Sequence, residues 1–121
     1  MYIQKIEWID KESKEAVLKV GHNKESLMCF SCPCIYNIGD SLIEPLECLD
    51  TEDIILCDEK EESIERINET FRYIMKGKLM DMENGIVDVC GFNIHIDEDR
   101  IPSDIKNGMY IQFYTSRIDI W

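Results

Sequence analysis

The feature that most constrains the fold is a pattern of strand-like runs that occurs twice, about 70 residues apart. Residues 6–10 and residues 77–81 are apolar-rich runs, and each ends in an aspartate. Both copies later reach a glycine turn, at Gly39 and at Gly108. The offset between matching positions drifts only from 71 to 69 residues. Such behaviour is typical of a diverged tandem unit with small changes in loop length.

Short apolar runs separated by polar turns predict a mainly β protein. Residues 2–9 are rich in Ile, Tyr and Trp, and two further runs, 16–20 and 26–29, follow after short polar turns. Asn84-Gly85 is the strongest hairpin signal in the chain. Residues 92–96 alternate apolar and polar side chains, so we expect Phe92, Ile94 and Ile96 to face the core.

The repeat and the length together predict one compact domain, residues 1–121. A chain of 121 residues can bury roughly two-thirds of its unfolded surface, which suits one core. We expect two related antiparallel half-units, about 2–57 and 73–121, joined by the acidic segment 58–72. The order strand, hairpin, strand, short turn, glycine and last strand in 73–121 resembles the small OB-type barrel. A barrel or a sandwich is therefore the expected architecture.

The segment 58–70 shows the clearest change in composition. Ile64, Ile67, Phe71 and Ile74 fall at helical spacing, and the acidic residues before them suit a helix N-terminus. A short helix near 60–70 is the prediction. A charged hairpin is the alternative, because residues 71–74 also suit a strand.

The charge of the chain argues for one class of partner over another. The formal net charge is −12, from 25 acidic and 13 basic residues. An acidic surface repels the phosphates of nucleic acid, which makes that partner unlikely. The same surface speeds encounter with a basic protein, and salt weakens that effect.

The sequence also indicates a compartment. Lys5, Glu7 and Asp10 interrupt the first apolar residues, so no secretory signal is expected, and no run approaches the length of a membrane span. Six cysteines without an export signal favour reduced thiols. We therefore expect a cytoplasmic protein with no membrane partner, and its oligomeric state stays open.

Cysteine spacing provides the sharpest local candidate for a metal site. Cys29, Cys32 and Cys34 include a Cys-x-x-Cys pair, and such spacing can place two thiolates on one zinc ion. A structural zinc site needs four ligands, and no second pair is present elsewhere in the sequence. In a strand, Cys32 and Cys34 would share a face that Cys29 does not. We expect neither a metal site nor another cofactor.

No catalytic motif is visible, so the sequence predicts a binding protein rather than an enzyme. There is no nucleophile elbow and no glycine-rich phosphate loop. The leading hypothesis is an acidic cytoplasmic protein that occupies a basic partner, with an immunity-type inhibitor of a nuclease toxin as the concrete instance. The alternatives are an OB-like module for single-stranded nucleic acid or a small ligand, and a structural subunit that uses the aromatic C-terminus ending in Trp121. The candidate partner-binding residues are Asp58, Glu59, Glu61, Glu62, Glu65, Asp97, Glu98 and Asp99.

Overall fold

A computed structural model describes residues 1–120, and Trp121 lies outside the described residues. Within residues 1–120 the chain forms eleven strands and one 3-10 helix, Glu98–Arg100. The strands are β1 Tyr2–Asp10, β2 Glu15–His22, β3 Glu25–Ser31, β4 Leu46–Leu49, β5 Glu52–Cys57, β6 Ser63–Arg66, β7 Tyr73–Asp81, β8 Ile86–Val89, β9 Phe92–His95, β10 Tyr110–Thr115 and β11 Arg117–Asp119. The prediction of a mainly β protein is confirmed.

The strands form one mixed sheet that is not closed into a barrel. Its order is β1-β2-β3-β11-β4-β9-β8-β7-β10-β5, and β6 pairs with β7 beside this path. The two end strands, β1 and β5, do not pair with each other, so the expected closed barrel is not formed. Most neighbours are antiparallel, but β11 is parallel to β3 and β4 is parallel to β9.

Two short junctions allow the chain to change strand neighbours. Only Asp50 and Thr51 separate β4 from β5, and only Ser116 separates β10 from β11. β4 pairs with β9 and β11, whereas β5 pairs with β10. The Ser116 amide donates a hydrogen bond to the Leu49 carbonyl, and the Ser116 hydroxyl donates one to the Asp50 carboxylate, so the two junctions are linked.

Alternating side chains build a single core. In β7, every second residue from Tyr73 to Leu79 is buried. Phe92, Ile94 and Ile96 are fully buried, while Asn93 and His95 are half-buried, which confirms the predicted core face. The period of two places one face of each strand against the core and leaves the other for polar residues.

The predicted helix near 60–70 is wrong, and the hairpin alternative describes this segment. Residues 63–66 form β6, which pairs in antiparallel register with residues 73–76 of β7. The turn between them is closed by hydrogen bonds from the Ile67 amide to the Arg72 carbonyl and from the Thr70 amide to the Ile67 carbonyl. A helix this short is marginal by itself. The ladder with β7 therefore determines the conformation.

Two hairpins of the sheet have the same turn. β1–β2 and β7–β8 each carry a register shift just before the turn, between Trp8 and Asp10 and between Leu79 and Asp81. In each, an aspartate side chain accepts a hydrogen bond from the amide two residues later, at 3.0 Å from Glu12 and at 3.1 Å from Glu83. This similarity is confined to these two hairpin turns. The sheet runs through both predicted half-units without interruption, so two related OB-like half-units are not confirmed.

Candidate protein-binding edge

Strand β5 forms one edge of the sheet and presents an unpaired backbone. It pairs with β10 on one side, and no other strand within residues 1–120 pairs with its second side. Ile55 and Leu56, in the middle of the strand, expose 51% and 46% of their surface. An exposed edge of this kind can accept another strand through main-chain hydrogen bonds.

An acidic pocket lies at the start of β5. It has a volume of about 380 Å³ and is lined by Glu52, Asp53, Ile54 and Arg100. Asp53 has a φ of +53°, next to the register shift between β5 and β10. Arg100 comes from the 3-10 helix, and its Nε lies 3.5 Å from an oxygen of Asp97. The acidic loop 97–99 therefore belongs to this end of the edge.

A second acidic pocket lies at the other end of β5. Its volume is about 270 Å³, and its lining residues are Cys57, Asp58, Glu59, Glu61, Lys76 and Gln112. The Lys76 ammonium lies 3.8 Å from the Glu61 carboxylate, and this carboxylate offsets the positive charge of the lysine. Only Ile55 and Leu56 lie between the residues of β5 that line the two pockets, a distance of about 10 Å from Ile54 to Cys57 along the strand. The structure thus places two acidic pockets at the two ends of one apolar edge.

Four of the eight predicted acidic residues already have partners inside the protein. Glu61 pairs with Lys76, and Glu62 accepts a hydrogen bond from the Cys90 amide at 3.1 Å. Asp97 caps the 3-10 helix by accepting from the Asp99 amide, and it also pairs with Arg100. Glu98 lies 3.1 Å from Nε2 of His95, whose Nδ1 contacts Glu47.

The other four predicted residues are exposed and carry free carboxylates. Among residues 1–120, the side chains of Asp58, Glu59, Glu65 and Asp99 form no ion pair or hydrogen bond. Asp58 and Glu59 lie in the second pocket, whereas Glu65 lies on β6. These free carboxylates are the ones available to a partner.

Sequence reasoning missed Glu52 and Asp53, which line the first pocket. The sequence shows them only as part of a polar break between two apolar runs. Their role follows from the sheet order. β10 lies between β7 and β5, and this leaves β5 at the edge of the sheet. The acidic residues on both sides of the run Ile54–Cys57 were the available signal.

The predicted metal candidates do not share an environment. Cys29 and Cys34 are buried, whereas Cys32 is exposed and its thiol contacts the Ser13 carbonyl. Burial raises the pKa of Cys29 well above its ordinary value, and burial raises that of Cys48 to about 12. Buried thiols of this kind stay protonated at neutral pH, so they are poor metal ligands. Within residues 1–120, no group of three His, Cys, Asp or Glu side chains is arranged to hold a metal ion.

Comparison with known proteins identifies a family but no individual relative. The chain belongs to the family described as "Uncharacterised conserved protein UCP019853", whose model matches residues 1–121. No curated protein matches the chain, and no solved structure matches it. Within the described part of the chain, no helix is long and apolar enough to cross a membrane.

Proposed function

We propose that this family member is a non-enzymatic cytoplasmic protein that binds a basic protein partner along the free edge of β5. A strand of the partner would pair with β5, and its lysine or arginine side chains would enter the acidic pockets at the two ends. An immunity-type inhibitor that blocks the basic cleft of a nuclease toxin is the concrete instance.

The observation that carries this proposal is the arrangement of charge around β5. Exposed Ile55 and Leu56 lie between Glu52 and Asp53 on one side and Asp58 and Glu59 on the other. Apolar residues at the centre of an interface with charges at its rim are typical of protein–protein contacts. The net charge of −12 would speed the approach of a basic partner.

Three features support a protein partner, and the first of them argues against an OB-like nucleic-acid module. Nucleic acid would meet carboxylates at both ends of this edge. All six cysteines, each within residues 1–120, are free thiols, which supports a reducing compartment. The unpaired backbone of β5 offers donors and acceptors that another chain could use.

The test is a titration of the ¹⁵N-labelled protein with a short basic peptide of alternating lysine and valine. We expect saturable shifts confined to residues 52–57 and their β10 neighbours. Binding should weaken about tenfold between low and physiological salt, because the contact is largely electrostatic. Calorimetry with the basic product of a neighbouring gene would then extend the test to a natural candidate.

A set of neutralised variants separates a specific edge from general acidity. The triple variant Glu52→Gln, Asp58→Asn, Glu59→Gln should weaken binding by about tenfold, or about 1.4 kcal/mol. The matched control, Glu83→Gln with Asp104→Asn and Glu12→Gln, removes the same charge from exposed sites elsewhere. Equal weakening in both variants, or binding that does not respond to salt, would overturn the proposal.

A further inference from the structure

A basic groove lies away from the β5 edge, between the β1–β3 face of the sheet and β6. Its volume is about 500 Å³, and it contains four of the chain's 13 lysines and arginines: Lys5, Lys19, Lys24 and Arg66. Glu25 is the one carboxylate that lines it. In a protein with a net charge of −12, this concentration of positive charge is local and focused.

A bulge in β1 creates the centre of this groove. Ile3 pairs with Val20, but the next pair is Lys5 with Lys19, so Gln4 is the extra residue. In a regular strand Lys5, two residues after Ile3, would lie on the same face as Ile3 and point towards the core. The bulge instead places Lys5 directly opposite Lys19 on the groove side, and bulges often redirect side chains in this way next to functional sites.

Neither of the two opposed lysines forms an ion pair within the described part of the chain. Like charges that lie directly opposite on neighbouring strands destabilise a sheet. Among the residues that the structure describes, no carboxylate lies within ion-pair distance of Lys5, Lys19 or Lys24. An anion bound between the lysines would relieve this repulsion.

Tyr73 of β7 supplies a hydroxyl donor to this groove, and Met28 of β3 and Ile64 of β6 supply an apolar surface on its two walls. Tyr73 accepts a hydrogen bond from the Met28 amide at 3.0 Å, and no described group accepts the proton of its own hydroxyl. Burial raises the pKa of Tyr73, so the phenol stays a donor at neutral pH. Met28 and Ile64 are half-buried and line the same groove.

We infer that the groove binds a small organic anion that carries a phosphate group. Lysine ammonium groups bind phosphate as point charges, and Met28 and Ile64 would contact the apolar part of the molecule. A volume of about 500 Å³ falls in the range of small-molecule sites. A long nucleic acid does not suit the site, because its other phosphates would meet the acidic surface. This inference does not depend on the proposed partner at β5.

The test is a titration of the ¹⁵N-labelled protein with phenyl phosphate, in which the chemical shifts of the protein's backbone amides are measured. We expect saturable shifts at Lys19, Ser26 and Met28, with inorganic phosphate binding more weakly at the same residues and phenol producing no shifts there. Lys19→Gln and, separately, the exposed Lys24→Gln should each weaken binding at least fivefold. Lys106→Gln, which removes the same charge from a distant loop, should leave it unchanged.

The stability of the free protein provides a second readout. Lys5→Gln should raise the unfolding temperature without ligand, because it removes the repulsion with Lys19, and it should reduce the stabilisation that phenyl phosphate produces. A purely structural lysine would behave in the opposite way. Shifts that do not saturate, equal losses in Lys19→Gln and Lys106→Gln, or a lowered unfolding temperature in Lys5→Gln would overturn the inference.

Discussion

The β1–β2 and β7–β8 hairpins share a turn but lie in opposite surroundings. β7 pairs with β10 on one side and with β6 and β8 on the other, and its inward residues are fully buried. β1 is an edge strand, and only its first residues contact a second neighbour, through hydrogen bonds between Ile3 and residues 39 and 40. Five of its last six residues, 5–10, are exposed.

The difference shows that a hairpin's turn and its depth in the fold are specified separately. The turn depends on local features, an aspartate and a bulge, which both hairpins contain. The burial of a hairpin depends on whether strands from later parts of the sequence pair with it. We therefore expect matching substitutions in the two hairpins to differ in their cost, and three experiments address this difference.

The largest expected difference is between Leu79→Ala and Trp8→Ala, at matching positions just before each turn. Leu79 is fully buried, so its truncation should lower the free energy of unfolding by about 3 kcal/mol through lost burial and the cavity left behind. Trp8 is 39% exposed, and its truncation should cost about 1 kcal/mol or less. Urea unfolding measures both, and equal costs would contradict the distinction between edge and centre.

A smaller difference is expected between Gly77→Ala and Gly21→Ala. A Cβ at position 77 would lie 2.5 Å from the Asp88 carbonyl oxygen, a backbone atom that cannot move easily. The three atoms nearest to a Cβ at position 21 all belong to the Gln4 side chain, which is flexible and can rotate away. We expect about 2 kcal/mol of destabilisation at position 77 and less than 1 kcal/mol at position 21, measured by urea unfolding.

Gly21→Ala acts as the control for the intrinsic effect of alanine in a strand. Neither glycine has a positive φ, so the comparison isolates the steric term. If both variants were equally stable, the close approach of β8 to β7 would be wrong.

The smallest expected effect concerns the two turn aspartates. Hydrogen bonds from the Asn84 side chain and from the turn amides lower the pKa of Asp81. A lowered pKa means that the carboxylate stabilises the fold above its unfolded pKa, near 4, and that this contribution is lost as pH falls through the folded value. Asp81→Asn should therefore show a slightly smaller fall in unfolding temperature between pH 6 and pH 2.5 than the unmodified protein.

Asp10→Asn is the matched control in the first hairpin, where the aspartate has one turn hydrogen bond and no Asn partner. It should change the pH dependence less than Asp81→Asn does. The reverse order, seen in thermal scans at both pH values, would contradict the role of the Asn84 contact.

Local sequence patterns predicted the individual strands and turns of this fold better than they predicted which strands lie next to each other. Alternation at 92–96 and the Asn84-Gly85 turn specify backbone geometry within a few residues, and both predictions hold. The spacing of Ile64 and Ile67 fits a helix, but pairing with β7 decided in favour of a strand. The edge position of β5 and the meeting of Lys5, Lys19 and Arg66 depend on contacts between distant segments, which no local pattern encodes.

The position of β11 has a consequence for how the protein is made. β11 lies between β3 and β4 and is the one described strand that pairs with both. Synthesis proceeds from the N-terminus, so the β1–β3 meander must wait, with the β3 edge open, for most of the chain to leave the ribosome. Pairing over such a sequence separation is slow, and open edges invite association with other chains. A nascent chain that stops before Arg117 would therefore be a natural substrate for chaperones and proteases. In a finished chain, β11 covers the open edges of β3 and β4.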